Sequence, residues 1–242
     1  MPGGVGKISS NIFYREVTVV RTPLNERKLP DYTRGEEIFN MVTHIAGGAF
    51  GLVVLVLCTV VPAVRHDSFA MAGGIIYGVS MVLLYTISSV YHGLTAVKAK
   101  KVMQVLDHCT IYALIYGTYV PILLTNLLDY YPKAALIILC CITVGTAVGV
   151  TFTAIDFQRY KIISHSCYFI VGWCAVFAVK YIIRAFGLPF FLWILAGGCF
   201  YTFGMIFYAK GKHKRWFHSI FHIFILLGSA LQFVGIFRWC IC

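Results

Sequence analysis

Seven apolar stretches, each about twenty residues or longer, constrain this chain more than any motif does. They run over 38–64, 68–92, 105–127, 134–155, 162–183, 189–208 and 217–237. About 20 apolar residues is the length at which a helix crosses the hydrocarbon core of a bilayer. A segment in lipid must satisfy its own backbone hydrogen bonds, so these blocks predict helices. Short polar or turn-forming breaks separate them: RHD, TAVKAKK, LDYYPK, DFQRYK, RAFGLP and AKGKHKR. Composition agrees, with 60% hydrophobic and 12% charged residues, where a soluble domain is about half apolar and a quarter charged. The expected fold is an all-α integral membrane protein of seven transmembrane helices. A basic tail over 1–35 precedes a transmembrane domain over 36–242. The tail lacks the apolar core and small-residue cleavage site of a signal peptide, so multi-pass insertion in the cell membrane without a cleaved leader is expected.

Lysine and arginine set the orientation. The tail carries six, the second loop three, the fourth two and the sixth four, which puts 15 on one side. The other side has five: Arg65, Lys133, Lys180, Arg184 and Arg238. This bias predicts the N-terminus inside and the C-terminus outside. It also accounts for the net charge of +11 without a nucleic-acid partner; anionic lipid is the expected partner of the tail. Most of the nine cysteines lie inside apolar blocks and there is no CxxC pair. They read as small hydrophobes, and no function falls to Cys240 or Cys242.

On this topology the unusual polar residues gather in one leaflet. Span two ends inside with Ser88 and His92. Span three begins inside with Asp107 and His108. Span seven begins inside with the stretch HSIFH, His218 to His222. Residues four apart share a helix face, so Ser88 pairs with His92 and His218 with His222. Three imidazoles from two helices, His92, His218 and His222, match the ligand count of a catalytic zinc site, which keeps a fourth position open. Imidazole suits other transition metals too, so zinc is favoured over them rather than required. In the HExxH pattern the glutamate beside the first histidine is the general base. Here that place is Ser219, and Asp107 is the carboxylate at the right depth to hold or deprotonate a water activated by a metal. Ser88 is placed to donate a hydrogen bond to that water or to a substrate carbonyl. Plainer roles exist for each: histidines facing lipid headgroups, His92 ending its helix, Asp107 pairing with Lys100 or Lys101. Ionisable groups within membranes are costly and mark function, which favours the site. Glu37, Asn40 and His44 fall near one stripe of span one and are expected to support the ligands or to handle protons separately. Glu36 and Glu37 also suit the first turn of a helix. His108 and His165 read as structural or interfacial.

The motifs EEIFNMVTHIAGG, SSVYHGL, LDHCTIYALIYGTYVP and FHSIFHIFILLGSALQF resemble those of the bacterial hemolysin III family, which groups with the progestin and adipoQ receptors and, more distantly, the alkaline ceramidases. The resemblance covers about residues 36 to 238. It implies seven helices with Zn2+ near the cytoplasmic face, His92, His218 and His222 as ligands, and Asp107 and Ser88 in contact with the water on the metal. It also implies activity on lipid amides or a link to membrane-lipid homeostasis. Gln232 departs from the family's pattern, where many members carry histidine.

Three functions compete. The first is a metal-dependent hydrolase of a lipid amide or ester, with membrane lipid as substrate. The second is a sensor or receptor of membrane state with a structural zinc. The third is a pore-forming cytolysin, disfavoured because the outer halves of the spans are almost wholly apolar.

Overall fold

The structure is a computed structural model describing residues 21–211 and 214–242. Tail residues 1–20, with Lys7 and Arg15, lie outside the described residues, as does Lys212. The regular structure of the described residues is all helical, beginning at Arg34. Its helices are α1 (Arg34–Val64), α2 (Ser68–Gly93), α3 (Val97–Leu124), α4 (Asn126–Tyr130), α5 (Pro132–Asp156), α6 (Lys161–Gly172), α7 (Val179–Phe186), α8 (Leu188–Lys210) and α9 (Phe217–Ile236). A 3-10 turn, Cys174–Ala178, lies between α6 and α7, and a π turn, Phe237–Ile241, follows α9.

Six segments are long and apolar enough to cross a membrane: α1, α2, α5, the run Lys161–Phe186, α8 and Phe217–Ile241. The third block folds as a helix of 28 residues. Its lysines, Asp107, His108 and interspersed Thr and Tyr residues keep it out of that set. The fifth block is not one helix. It breaks at Gly172 and Trp173, and the Tyr119 hydroxyl fills the break. That hydroxyl donates to Gly172 O at 2.9 Å and accepts from Ala175 N at 3.0 Å. Backbone groups released by the break thereby regain partners, which an apolar surrounding demands.

Helices adjacent in the chain pack side by side, and α9 returns against α1 to close the bundle. The buried stripe of α1 is Glu36, Asn40, His44, Gly47, Gly51, Val54, Cys58 and Pro62, spaced at three and four residues as one helical face requires. The opposite face, with Val42, Ile45, Leu52, Val53, Val56 and Val60, is exposed, as lipid contact requires. Within the membrane no hydrophobic gain drives helices together, so close approach through small residues takes its place. Gly74 and Gly78 of α2 meet the backbone of α1 directly. A Cβ on Gly78 would lie 2.5 Å from Leu55 Cα.

The start of α1 is locked at the site's end of the bundle. Thr33 caps it, accepting from Glu36 N at 3.2 Å, while Thr33 N donates to Glu36 Oε2 at 2.8 Å. Such a capping box is worth about 1 kcal/mol. Glu36 also accepts from Trp216 N at 2.5 Å, and Arg215 reaches it at 3.5 Å. One buried carboxylate therefore joins the first turns of α1 and α9.

Gly78→Ala should destabilise the detergent-solubilised protein by about 1–3 kcal/mol, the cost of overpacking. Gly198→Ala should not, because nothing lies within 4 Å of a Cβ there. Thermal unfolding of the two variants checks this; equal melting would contradict the close α1–α2 approach.

Candidate metal centre

Four helix ends supply the polar groups anticipated from the sequence. His92 sits in the last turn of α2, and His218 and His222 lie in the first two turns of α9. All three are buried, at 3%, 7% and 2% exposure. Their ligand-capable nitrogens lie within 4.8 Å of one another, and His218 Nε2 and His222 Nε2 are 3.1 Å apart. His92 Nε2 is buried without a hydrogen-bond partner. Leaving a buried polar atom unmet costs roughly 1–3 kcal/mol. A tetrahedral ion with metal–nitrogen bonds of about 2.0–2.1 Å spaces its ligand atoms about 3.3 Å apart. Three buried imidazoles gathered this closely, with an unpartnered nitrogen on His92 among them, are a donor set that suits such an ion.

Asp107 and Ser88 do not belong to this nitrogen cluster. They line the cavity that His218 and His222 also line. The cavity has a volume of about 200 Å³ and continues to Leu123 of α3 and Phe190 of α8. Asp107 to Leu123 is about 24 Å at 1.5 Å per residue. Beyond the histidines its wall is largely Leu, Ile and Phe.

Lys100 does not pair with Asp107. Its Nζ lies 2.8 Å from Glu37 Oε1, and Lys101 instead donates to Asn25 O at 2.8 Å. The two neighbouring glutamates thus divide the roles read for them. Glu36 caps the helix. Glu37, about 100° further round it, accepts from His92 Nδ1 at 2.6 Å.

Asn40 and His44 reach the same place. His44 stacks on His222 with ring centroids 3.8 Å apart. Both side-chain atoms of Asn40 and both ring nitrogens of His44 are buried without hydrogen-bond partners. His108 is buried and also borders the cavity. Its Nδ1 lies 2.7 Å from Gln104 O and its Nε2 3.0 Å from the Tyr208 hydroxyl. His165 packs near Phe157, Tyr168 and Tyr208. Gln232 lines the cavity, with Oε1 unpartnered.

Two site residues escaped sequence reasoning. Tyr208 of α8 reads as an ordinary interfacial tyrosine, yet it contacts His108 and His218. Tyr32 lies in the tail segment, where no periodicity marks it. Its ring stacks on His218 at 4.8 Å and lies 5.9 Å from His92. Burial pushes its phenol above the usual range, so it stays a neutral hydroxyl. The described part of the tail is tied across this end of the bundle. Thr22 N donates to Asp156 at 2.8 Å, Arg27 donates to Ile155 O at 2.9 Å, and Arg215 pairs with Asp31 at 3.2 Å.

The chain matches the family described as Haemolysin-III related over residues 32–233. It is 33% identical over 210 residues to the Hemolysin-3 homolog of Bacillus subtilis (strain 168), covering 87% of this chain and 97% of that protein. It is 34% identical over 198 residues to Hemolysin-3 of Bacillus cereus, covering 82% and 89%. It is 25% identical over 227 residues to the human Monocyte to macrophage differentiation factor, covering 90% of each. The matched span takes in the helical bundle from the segment before α1 to within α9, with every residue of the candidate centre inside it. The chain is a membrane protein that belongs to the haemolysin-III related family.

Proposed function

We propose that this protein is a zinc-dependent hydrolase of a lipid amide or ester, with His92, His218 and His222 as the ligands. The observation that carries this reading is a cluster of three buried, converging imidazoles, two of which, His218 and His222, line a long and largely apolar cavity. When bound, the ion supplies a Lewis acid for carbonyl polarisation and water activation. The protein's own groups do the rest. The apolar wall takes an acyl chain and excludes water from it. The scissile carbonyl then stops beside His218 and His222, where the lining turns polar. Asp107 accepts the proton of the attacking water and passes it to the departing amine or alcohol. Ser88 donates to the carbonyl oxygen as negative charge develops there. Tyr32, stacked over His218 on the tail side, shields the centre from bulk water.

In this reading α3 is a seventh span beside the six apolar segments. It carries Asp107 into the cavity with its lysines at the inner surface. The tail with its basic residues lies inside, next to anionic lipid, and the C-terminus lies outside.

One observation favours a second reading, a sensor of membrane state with a structural metal. The break at Gly172 and Trp173 lies in the cavity wall, where an occupant would bear on the joint between α6 and α7. A pore, the remaining reading, is disfavoured because the wall past the histidines is mostly Leu, Ile and Phe, with only scattered polar side chains such as Thr118, Thr202 and Gln232.

Asp107→Ala should abolish release of fatty acid from N-acyl or ester lipids by the purified protein while leaving most of the metal bound. Parallel turnover and metal assays check it. Full turnover in the variant would remove Asp107 from the chemistry; no turnover by the wild type on any long-chain amide or ester would favour the sensor. A phosphatase fused to the C-terminus should be active outside the cell, since seven spans place the two ends on opposite sides. An inactive phosphatase with a fluorescent C-terminal green fluorescent protein would leave six spans.

A further inference from the structure

We infer that Glu37 is a positioning residue of the metal centre, which fixes the tautomer and direction of His92 and is itself held by Lys100. The inference rests on reading His92, His218 and His222 as metal ligands, and adds what prepares one of them.

The two oxygens of Glu37 do different things. Oε2 lies 2.6 Å from His92 Nδ1, and Oε1 lies 2.8 Å from Lys100 Nζ. A carboxylate only accepts hydrogen bonds, so the proton of a neutral His92 sits on Nδ1. The lone pair then sits on Nε2, the atom that is buried without a partner and belongs to the three-histidine cluster. The opposite tautomer would place two electron-rich atoms 2.6 Å apart and aim an N–H at the metal position. Glu37 therefore selects the ligating form before any ion arrives.

Position explains why this ligand needs such support. His92 stands in the last turn of α2, where backbone carbonyls lack helical partners and ends fray. Lys100 secures that end as well: its Nζ donates to Leu94 O at 3.1 Å and to His92 O at 3.4 Å. One ammonium on α3 thus holds the carboxylate from α1 and the terminal carbonyls of α2. The other two ligands begin a helix whose first turn is tied to Glu36. They are steadied by rings, His218 by Tyr32 and His222 by His44. Among the described residues, His92 is the ligand whose second nitrogen meets a carboxylate.

A carboxylate on the far nitrogen of a ligating histidine orients the ring and raises its basicity. Losing one typically costs about 10–100-fold in metal affinity. Lys100 neutralises Glu37, so the pair adds orientation without adding net charge to the centre. Asp107, outside this pairing, stays available to the cavity.

The test uses the full chain in detergent, stripped with a chelator and titrated with zinc against a competing chromogenic chelator. Cobalt(II) absorption reports the geometry of the site. Glu37→Ala should weaken zinc about 10–100-fold and shift the cobalt spectrum, with His218 and His222 unaltered. Glu37→Gln, which keeps an acceptor for Nδ1–H, should recover most of that affinity. Glu37→Asp keeps the charge but falls one methylene short, so it should bind weakly while folding normally; it stands in if the alanine variant does not fold. Wild-type affinity in Glu37→Asp and in folded Glu37→Ala would overturn the inference and leave the metal centre intact. A wild type that binds neither zinc nor cobalt would overturn the metal centre and this inference with it.

Discussion

Polar groups placed in an apolar bundle must find their partners inside the protein, and Glu36 and Glu37 meet that demand for the end of the bundle that matters. Glu36 joins the first turns of α1 and α9. Glu37 joins α1 to the end of α2 and, through Lys100, to the start of α3. Two consecutive residues thereby set where His92, His218 and His222 stand relative to one another. In a medium where an unpaired charge is so costly, moving Glu37 would leave the Lys100 ammonium without a carboxylate, and moving Glu36 would leave Trp216 N without its acceptor. The arrangement of the candidate centre follows from that constraint more than from the packing of the long apolar helices, which tolerate exchange of one aliphatic residue for another.

The rest of the architecture suits what the centre would need. Gly47 lets Tyr85 of α2 lie close against α1, beside His44, which stacks on His222 of α9. The cavity reaches His44, His218 and His222 at one end, so a long apolar ligand and these imidazoles meet there. The tail segment from Thr22 to Tyr32 is tied to the end of α5 and stacks its Tyr32 ring on His218. The family match, reaching from residue 32 into α9, includes Tyr32 and Glu37 along with the three histidines.

Much of this was legible in the sequence, for definite physical reasons. Apolar block length located the helices. The four-residue spacing of His218 and His222, with His92 at the end of another block, pointed to the cluster that the fold assembles. Other features needed the third dimension. The break in the fifth block arises because Tyr119, more than fifty residues earlier in the chain, bonds to Gly172 and Ala175; no local signal announces it. Lys100 was a candidate partner for Asp107 by depth, but depth does not give azimuth, and the ammonium faces Glu37. Tyr32 carries no pattern at all before the fold lays it on His218.

The most direct measurement is the metal content of the detergent-purified protein by elemental mass spectrometry, beside His92→Ala, His218→Ala and His222→Ala. The account predicts about one zinc per chain in the wild type and its loss in each variant, as a site of three imidazoles requires. Folded wild-type protein without metal in preparations free of chelator, or metal retained in all three variants, would contradict it.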